Sequence, residues 1–224
     1  MKQTPSKKET DNVRKAMTAC NREHSSKIPW NHNYAYHGWI SNQIGSRRRI
    51  LDVGCGNGTL ALFLRNDDHD VLGIDPSERA VLRANEQDMS INAAFITTTF
   101  EDFQPMGQSF DAVIFVASIH HMNMVEALEK AKSLLAEGGI LLIVGLAKPS
   151  NFLDWVVELF RIIPSGVISA VKKNTTSEEL DMEVSYDFPT MDEVRRIVRR
   201  VLPGYRLRYG LHYRYLLSWE KRNR

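Results

Sequence analysis

Cysteine is almost absent from this 224-residue chain, which has only Cys20 and Cys55. Two cysteines are too few for a disulfide scaffold or a cysteine-built zinc site, and such a composition is typical of a reducing compartment. The longest uninterrupted apolar run, Gly138–Ala147, is too short to span a bilayer. The polar first residues, MKQTPSKKETDNVRK, lack the apolar segment of a secretory signal. We therefore expect a cytoplasmic protein without a transmembrane segment.

A strong net charge is missing as well, since the formal value is +2 with 25% charged and 43% apolar residues. That composition predicts a globular chain, and 224 residues suffice for one domain with a large core. The charges are unevenly spread, because bases outnumber acids from Thr190 onward. A basic tail can mark a nucleic-acid surface, but charge runs more often form solvated faces of helices and strands.

Strands and helices alternate along most of the chain. Residues 1–27 are polar and weakly periodic and read as an N-terminal extension, and residues 28–224 are predicted to form a single domain. Five apolar segments predict buried strands: RILDV, DVLGID, AAFITT, FDAVIFVA and ILLIVGLA. Single helices between strands imply right-handed crossovers and a parallel sheet covered on both faces. The pair Gly138–Gly139 is predicted to end the helix before the fifth strand.

Helix-capping residues and the C-terminal segment complete the predicted fold. The predicted caps are Ser77 and the capping-box pairs Asn123–Glu126 and Thr190–Glu193. After Pro203–Gly204, the segments YRLRYG and HYRYLLSW alternate around Gly210, which predicts an antiparallel hairpin. The predicted fold class is therefore α/β: a Rossmann-like, doubly wound, mainly parallel seven-stranded sheet with a C-terminal antiparallel hairpin and helices on both faces.

The stretch ILDVGCGNGT places three glycines behind the first predicted strand, where backbone amides can approach a cofactor. A dinucleotide fingerprint needs glycine at relative positions 1, 3 and 6, yet counting from Gly54 the sixth residue is Thr59. A P-loop needs a lysine, and none lies between Leu51 and Leu82. Asp52 would repel a phosphate and suits an ammonium or hydroxyls. The loop predicts a cofactor with a cationic group and an uncharged sugar edge.

The same stretch resembles the first motif of class I S-adenosylmethionine-dependent methyltransferases. The resemblance continues through GIDPS, TFEDF, SFDAVIFVASIHHM and LLAEGGILLIV, in this order, over roughly Arg49–Val144. It implies an enzyme that binds S-adenosylmethionine without a metal and releases S-adenosylhomocysteine. The implied reaction is an in-line displacement at the sulfonium methyl, in which the protein mainly aligns the acceptor and excludes water.

The resemblance also implies a set of cofactor contacts. Asp52 would lie near the ammonium, the backbone around Gly54, Gly56 and Asn57 would approach the methionine end, and Asp75 would accept hydrogen bonds from both ribose hydroxyls. Phe100 and Glu101 would border the adenine. Many family members have Asp where Thr99 stands here, so Glu101, Asp102, or backbone and apolar packing would have to replace it. The full implied set is Asp52, Gly54, Cys55, Gly56, Asn57, Asp75, Pro76, Phe100, Glu101 and Ala117.

The acceptor side is less defined. The residues that could act as a base are His120 and His121, just past the fourth strand, and His37. The segment 28–48 resembles the lid helix of small-molecule methyltransferases, with His32 and Tyr36 as acceptor contacts, although its aromatics could instead pack on the sheet.

A second acceptor-side feature is the segment 149–189, which lies where the family carries acceptor-specific insertions. Its helix NFLDWVVELF, with Trp155, could roof an apolar pocket, form ordinary core or touch a membrane surface. The expected partner is a small, partly apolar acceptor.

Two other functions stay open. An RNA or protein methyltransferase would use the basic C-terminal region, but strand four ends in ASIHH, not in the Asn/Asp-Pro-Pro-aromatic turn of enzymes that methylate amide or exocyclic nitrogens. No separate RNA-binding module is visible, so we expect no nucleic-acid partner. A non-catalytic S-adenosylmethionine-binding protein is also possible, because fold does not fix function.

Overall fold

The computed structural model describes residues 33–65, 68–87, 93–148, 188–211 and 213–222. Several predicted features lie outside these residues: the extension 1–27, His32, Trp155 and nearly all of the segment 149–189.

The described residues build a seven-stranded sheet with the strand order β3-β2-β1-β4-β5-β7-β6. The strands are β1 Arg49–Val53, β2 Asp70–Asp75, β3 Ala93–Thr97, β4 Phe110–Val116, β5 Leu135–Leu146, β6 Arg206–Tyr209 and β7 Arg214–Glu220. Strands β1 to β5 pair in parallel, and β7 runs antiparallel between β5 and β6. The predicted fold class, including the C-terminal hairpin, is confirmed.

The register explains where a site can form. Strand β1 pairs with both β2 and β4, so Val53 stands between Ile74 and Phe115. The carboxyl ends of these strands therefore meet at one edge, where the strand order turns from β1–β2–β3 to β4–β5. Open α/β sheets bind ligands at such a switch point.

The three predicted capping sites each lie at the start of a helix. The helices are α1 His37–Ile44, α2 Thr59–Leu64, α3 Glu78–Gln87, α4 Met124–Leu134 and α5 Met191–Val201, with short 3-10 turns at Tyr34–Tyr36 and Ile119–His121. The Ser77 hydroxyl accepts a hydrogen bond from the Ala80 amide, and the Asn123 side chain caps α4. Thr190 and Glu193 form a reciprocal capping box at the start of α5.

Apolar residues three and four apart bury one face of each helix on the sheet. On one face, Val194, Val198 and Val201 of α5 pack with α4. On the other face, α1 places Ile40 and Ile44 against the sheet together with α2 and α3. Because Leu128 of α4 is fully buried, its truncation to alanine costs about 2–5 kcal/mol.

The prediction that Gly138–Gly139 ends α4 is wrong. The helix ends at Leu134, and β5 begins at once with Leu135. Gly138 has a φ of +75°, and the pairing of β4 with β5 shifts register between Phe110 and Ala112. The two glycines therefore lie at an irregularity inside strand β5. Two consecutive glycines are compatible with a β-bulge as well as with a helix end, which is why the sequence pattern misled the prediction.

Candidate active site

The glycine loop is tied to the end of β2. The amides of Gly54 and Cys55 donate to the Ile74 carbonyl at 2.8 and 3.0 Å. The Gly56 amide donates to Oδ2 of Asp75 at 2.9 Å. The loop thus has a fixed shape set by the neighbouring strand, and two of the predicted cofactor residues, Gly56 and Asp75, contact each other.

The loop glycines serve different purposes. A Cβ on Gly54 would collide with Ser118, so packing already explains that glycine. A Cβ on Gly56 would meet nothing within 4 Å, although its φ of +54° is left-handed. The open space beside Gly56 is where a ligand can approach the backbone. The Cys55 side chain is buried, so only its backbone faces the loop side.

Asp52 is the most unusual acid of the site. It is 2% exposed, and its Oδ2 is buried without a hydrogen-bond partner among the described residues. Burial raises the pKa of Asp52 to about 7, and the nearby charge of Asp75 adds to this rise. A buried carboxylate oxygen without a donor is costly unless a ligand supplies one. An ammonium fits this position, and a phosphate does not.

Asp75 lies half-buried at the end of β2, beside the exposed Pro76. Its Oδ1 accepts from the Ser77 amide at 2.9 Å, while Oδ2 holds Gly56. These two bonds fix the carboxylate, and each oxygen keeps further acceptor capacity. The arrangement suits a ligand with two hydroxyls.

At the end of the third strand, the residue at position 99 is hydrogen-bonded to a nearby acid. The Thr99 hydroxyl donates to Oδ2 of Asp102 at 2.8 Å and accepts from its amide at 3.0 Å, which places the Asp102 carboxylate beside position 99. Glu101 is exposed. Phe100 is 3% exposed, with its ring edge-on to Phe115, so its side chain belongs to the core.

The turn after β4 is hydrogen-bonded to the end of β1, directly before the glycine loop. The Ser118 hydroxyl donates to the Val53 carbonyl at 2.6 Å. Ala117 has a φ of +52°, and its amide donates to the Val144 carbonyl at 2.8 Å. A left-handed alanine costs about 1–2 kcal/mol, and such strain tends to gather at functional sites. Ala117 was predicted, whereas Ser118 carried no sequence signal beyond following it.

The segment before α1 lies across this edge of the sheet. The Tyr36 hydroxyl donates to the Leu211 carbonyl and accepts from its amide, both at 2.7 Å, which ties the segment to the β6–β7 hairpin. The ring of His37 packs between those of Tyr34 and Phe63, with centroids at 4.7 and 5.1 Å. The Tyr34 hydroxyl lies near the Thr59 side chain, outside good hydrogen-bonding geometry.

The predicted bases differ in their surroundings. Burial lowers the pKa of His37 to about 4. Burial, followed by the charges of His121 and Arg214, lowers the pKa of His120 to about 4 as well. Nδ1 of each ring is buried without a partner among the described residues. His121 is exposed, with its ring centroid 4.0 Å from that of His120. Near neutral pH the buried imidazole of His37 and the partly buried imidazole of His120 are uncharged and can exchange hydrogen bonds with a ligand.

His120 also lines a cavity of about 480 Å³. Its other walls are Ile119, Met122, Met124, Phe188, Pro189, Glu193, Arg196 and Ile197. A larger cavity, of about 790 Å³, lies at the amino edge of the parallel strands around Glu137 and Lys221, remote from the glycine loop. Of these two cavities, the smaller one is lined by a predicted site residue, His120.

Two further findings concern metal sites and membrane-spanning helices in the described residues. Within the described ranges, no three His, Cys, Asp or Glu side chains come together to hold a metal ion. Among the helices described, none has both the length and the apolar character needed to cross a membrane.

Comparisons with known proteins agree with this geometry. Residues 50–139 match the family model described as a methyltransferase domain. An uncharacterised methyltransferase of Mycobacterium tuberculosis is 28% identical over 194 residues, which cover 85% of this chain and 96% of the relative. These matches support a class I S-adenosylmethionine-dependent methyltransferase.

Two other relatives of this methyltransferase are informative. The ubiquinone biosynthesis O-methyltransferase of Cereibacter sphaeroides is 28% identical over 141 residues, which cover 60% of this chain and 57% of the relative. A plantazolicin methyltransferase, solved with a monoazolic desmethyl analogue and S-adenosylhomocysteine, superimposes with a TM-score of 0.62 at 19% identity. The match covers 96% of this chain and 92% of that one, and at this identity it shows the shared fold.

Proposed function

We propose that this methyltransferase binds S-adenosylmethionine at the glycine loop and methylates a small, partly apolar acceptor. The observation that carries the proposal is the buried Oδ2 of Asp52, which lacks a donor among the described residues and lies at the same strand edge as the open backbone of Gly56. A cationic, phosphate-free cofactor supplies what this arrangement needs. When bound, S-adenosylmethionine supplies a methyl group activated by its sulfonium.

The chain's own residues would hold the cofactor as follows. Asp52 accepts from the ammonium, and the fixed carboxylate of Asp75 accepts from the ribose hydroxyls. Gly56 lets the backbone approach, while Ser118 keeps the loop in place through its bond to Val53. Asp102, held by Thr99, is the acid best placed to replace the family's usual adenine contact.

The acceptor would bind beyond the glycine loop, in the cavity next to His120. The cavity next to His120 combines methionine, isoleucine and phenylalanine side chains with the charged side chains of Glu193 and Arg196, a mixed lining that suits a partly apolar ligand. Tyr36, held by the hairpin, and His37 would close the opposite wall. The insertion with Trp155 and the side chain of His32 remain predictions for this pocket. The names of the relatives, which refer to ubiquinone biosynthesis and plantazolicin, support a small acceptor over a macromolecule.

His37 and His120 would act on the acceptor as neutral groups. His120 can accept a proton or hydrogen bond from it, although a pKa of about 4 makes it a weak base at neutral pH. His121 is exposed and His37 is enclosed by aromatic rings, whereas His120 lines the cavity. His120 is therefore the histidine best placed to contact an acceptor there.

Calorimetry with four ligands tests the cofactor assignment. S-adenosylmethionine and S-adenosylhomocysteine should bind, and NAD and ATP should not, because the loop lacks both phosphate-binding patterns. Micromolar binding of NAD together with no detectable binding of S-adenosylhomocysteine would contradict the proposal.

Turnover tests the acceptor assignment. Formation of S-adenosylhomocysteine with small aromatic or aliphatic acceptors is expected, and it should not require RNA. Cofactor binding without turnover on any acceptor would indicate a binding protein, and RNA binding with a steep salt dependence would indicate an RNA methyltransferase.

A further inference from the structure

Two charged side chains line the cavity next to His120, and they differ in what already holds them. Among the described lining residues they are Glu193 and Arg196, which lie three positions apart on α5. Oε2 of Glu193 accepts from the amide and the hydroxyl of Thr190, at 2.8 and 2.9 Å. Arg196 makes no hydrogen bond or ion pair with any described residue. Its guanidinium is therefore the charged group of this lining that is available to a ligand.

The acids around Arg196 leave its charge uncompensated. Asp192 pairs with Arg195 at 3.0 Å. Glu193 has the spacing of an ion pair with Arg196, but its carboxylate is held in the capping box at the helix start. Arg199 and Arg200 follow on the exposed side of the same helix. The basic run seen in the sequence after Thr190 thus places excess positive charge beside the cavity.

The exposure of the lining residues gives the cavity a direction. Ile119 is 1% exposed, and the half-buried ring of His120 lies edge-on to that of Phe188, with centroids 4.9 Å apart. Glu193 and Arg196 are exposed. The inner end is therefore apolar apart from one imidazole, and the charges lie at the rim. A ligand with an apolar body and one polar end matches this gradient.

The guanidinium is also presented by a rigid element. Val194 and Val198 bury the opposite side of α5 in the core, and the capping box fixes the start of the helix. Arginine binds carboxylates and phosphates through a planar, two-pronged set of donors. His120 is uncharged near neutral pH, so it neither attracts an anion as a cation nor competes with Arg196 for one.

We propose that Arg196 selects acceptors that carry an anionic oxygen group, a carboxylate or a phosphate, at one end of an apolar body. The anion binds the guanidinium at the rim, and the apolar body extends along the cavity towards His120. This inference rests on the proposed function, which assigns the cavity to the acceptor. Arg196 is a specificity-determining residue, and the anion that it holds is a recognition group.

Binding of simple amphiphiles tests this role without knowledge of the natural acceptor. The full-length protein, saturated with S-adenosylhomocysteine, is titrated with octanoate and with its neutral counterpart octanamide. A second pair, octyl phosphate and octanol, examines the other anion. Because the pair with Arg196 would remain partly solvated, we expect a modest effect, in which at least one anion binds about threefold or more tightly than its neutral counterpart. The pair with the larger preference identifies carboxylate or phosphate.

Variants assign the preference to Arg196. Arg196→Gln should abolish the preference, and Arg196→Glu should reverse it, because a carboxylate at the rim repels the anion. Both should fold, since Arg196 is exposed and has no partner among the described residues. Arg200→Gln is the matched control, because Arg200 is exposed on the same helix and is not among the residues that line the cavity. The control should keep the preference.

The outcomes separate this inference from the proposed function. If the wild-type protein fails to bind S-adenosylhomocysteine, the proposed function is wrong. If it binds S-adenosylhomocysteine but prefers neither anion by about threefold, the role of Arg196 is overturned and the cofactor assignment stands. The same conclusion follows if the preference survives Arg196→Gln, or if Arg200→Gln abolishes it as well. Melting temperature and S-adenosylhomocysteine affinity report whether each variant is folded, and Arg196→Gln decides if Arg196→Glu does not fold.

Discussion

Replacing Asp52 with asparagine should stabilise the ligand-free protein and weaken cofactor binding at the same time. Asparagine keeps the shape of the side chain and removes a buried charge whose Oδ2 has no partner among the described residues. Without ligand, the charge is a cost, because burial and Asp75 both disfavour it. With the cofactor bound, the same charge would pair with the ammonium.

The magnitude follows from the pKa of Asp52, which burial raises from 3.8 to about 7. At about 1.36 kcal/mol per unit of pKa, ionising Asp52 costs the folded state up to about 4 kcal/mol. The sign follows from linkage: between pH 4 and 7 the folded state binds more protons than the unfolded state, so stability falls as pH rises through this window. The stability of Asp52→Asn relative to wild type should therefore grow from pH 5 to pH 8.

Chemical denaturation at pH 5 and pH 8, without ligand, measures this difference, and calorimetry measures S-adenosylhomocysteine affinity. The loss of a charged hydrogen bond of roughly 1.5–3 kcal/mol should weaken binding about ten- to hundredfold.

Asp111→Asn is the matched control. Burial alone would raise the pKa of Asp111, but the hydrogen bonds from Arg49 and Arg48 outweigh burial and lower it. The stabilising effect of the ionised Asp111 carboxylate is therefore lost only at acid pH, below the range from pH 5 to pH 8. The Asp111→Asn variant should bind S-adenosylhomocysteine normally. An Asp52→Asn protein that is less stable than wild type at pH 8, or that binds S-adenosylhomocysteine equally well, would refute the reasoning.

Three further substitutions test separate parts of the site. Gly56→Ala should lose only about 1–2 kcal/mol of stability, the cost of a left-handed alanine, yet S-adenosylhomocysteine binding should fall at least about tenfold; unchanged affinity in calorimetry would show that no ligand lies against this glycine. Asp75→Ala should reduce affinity more than Thr99→Ala, since Asp75 holds both the loop and the ribose, and equal losses would mean that the ribose contact is misplaced. Tyr36→Phe removes two hydrogen bonds to Leu211 and should cost about 1–3 kcal/mol in a denaturation experiment; turnover should fall with little change in cofactor affinity, and a parallel loss of affinity would contradict a role on the acceptor side.

The elements that the sequence predicted best are those set by local chemistry. The strands follow from short apolar runs, and the caps at Asn123 and Thr190 follow from side chains that bond amides within their own turn. The closeness of Asp52, Gly56 and Asp75 was also predictable, because they lie in motifs at the ends of adjacent strands.

What the sequence could not show depends on contacts between distant segments. Gly54 looked like Gly56, but only the fold reveals that Ser118 already fills the space beside it. Phe100 was predicted at the adenine border, and only the fold reveals that its ring packs edge-on against Phe115.

The central claim is that the orphaned carboxylate of Asp52 and the fixed carboxylate of Asp75 together hold S-adenosylmethionine. A crystal structure of the full-length protein with S-adenosylhomocysteine tests it most directly. The account predicts the ligand's ammonium within hydrogen-bonding distance of Oδ2 of Asp52, directly or through one water, and both ribose hydroxyls on Asp75. A ligand bound elsewhere, or one that leaves Oδ2 of Asp52 without a donor, would contradict it.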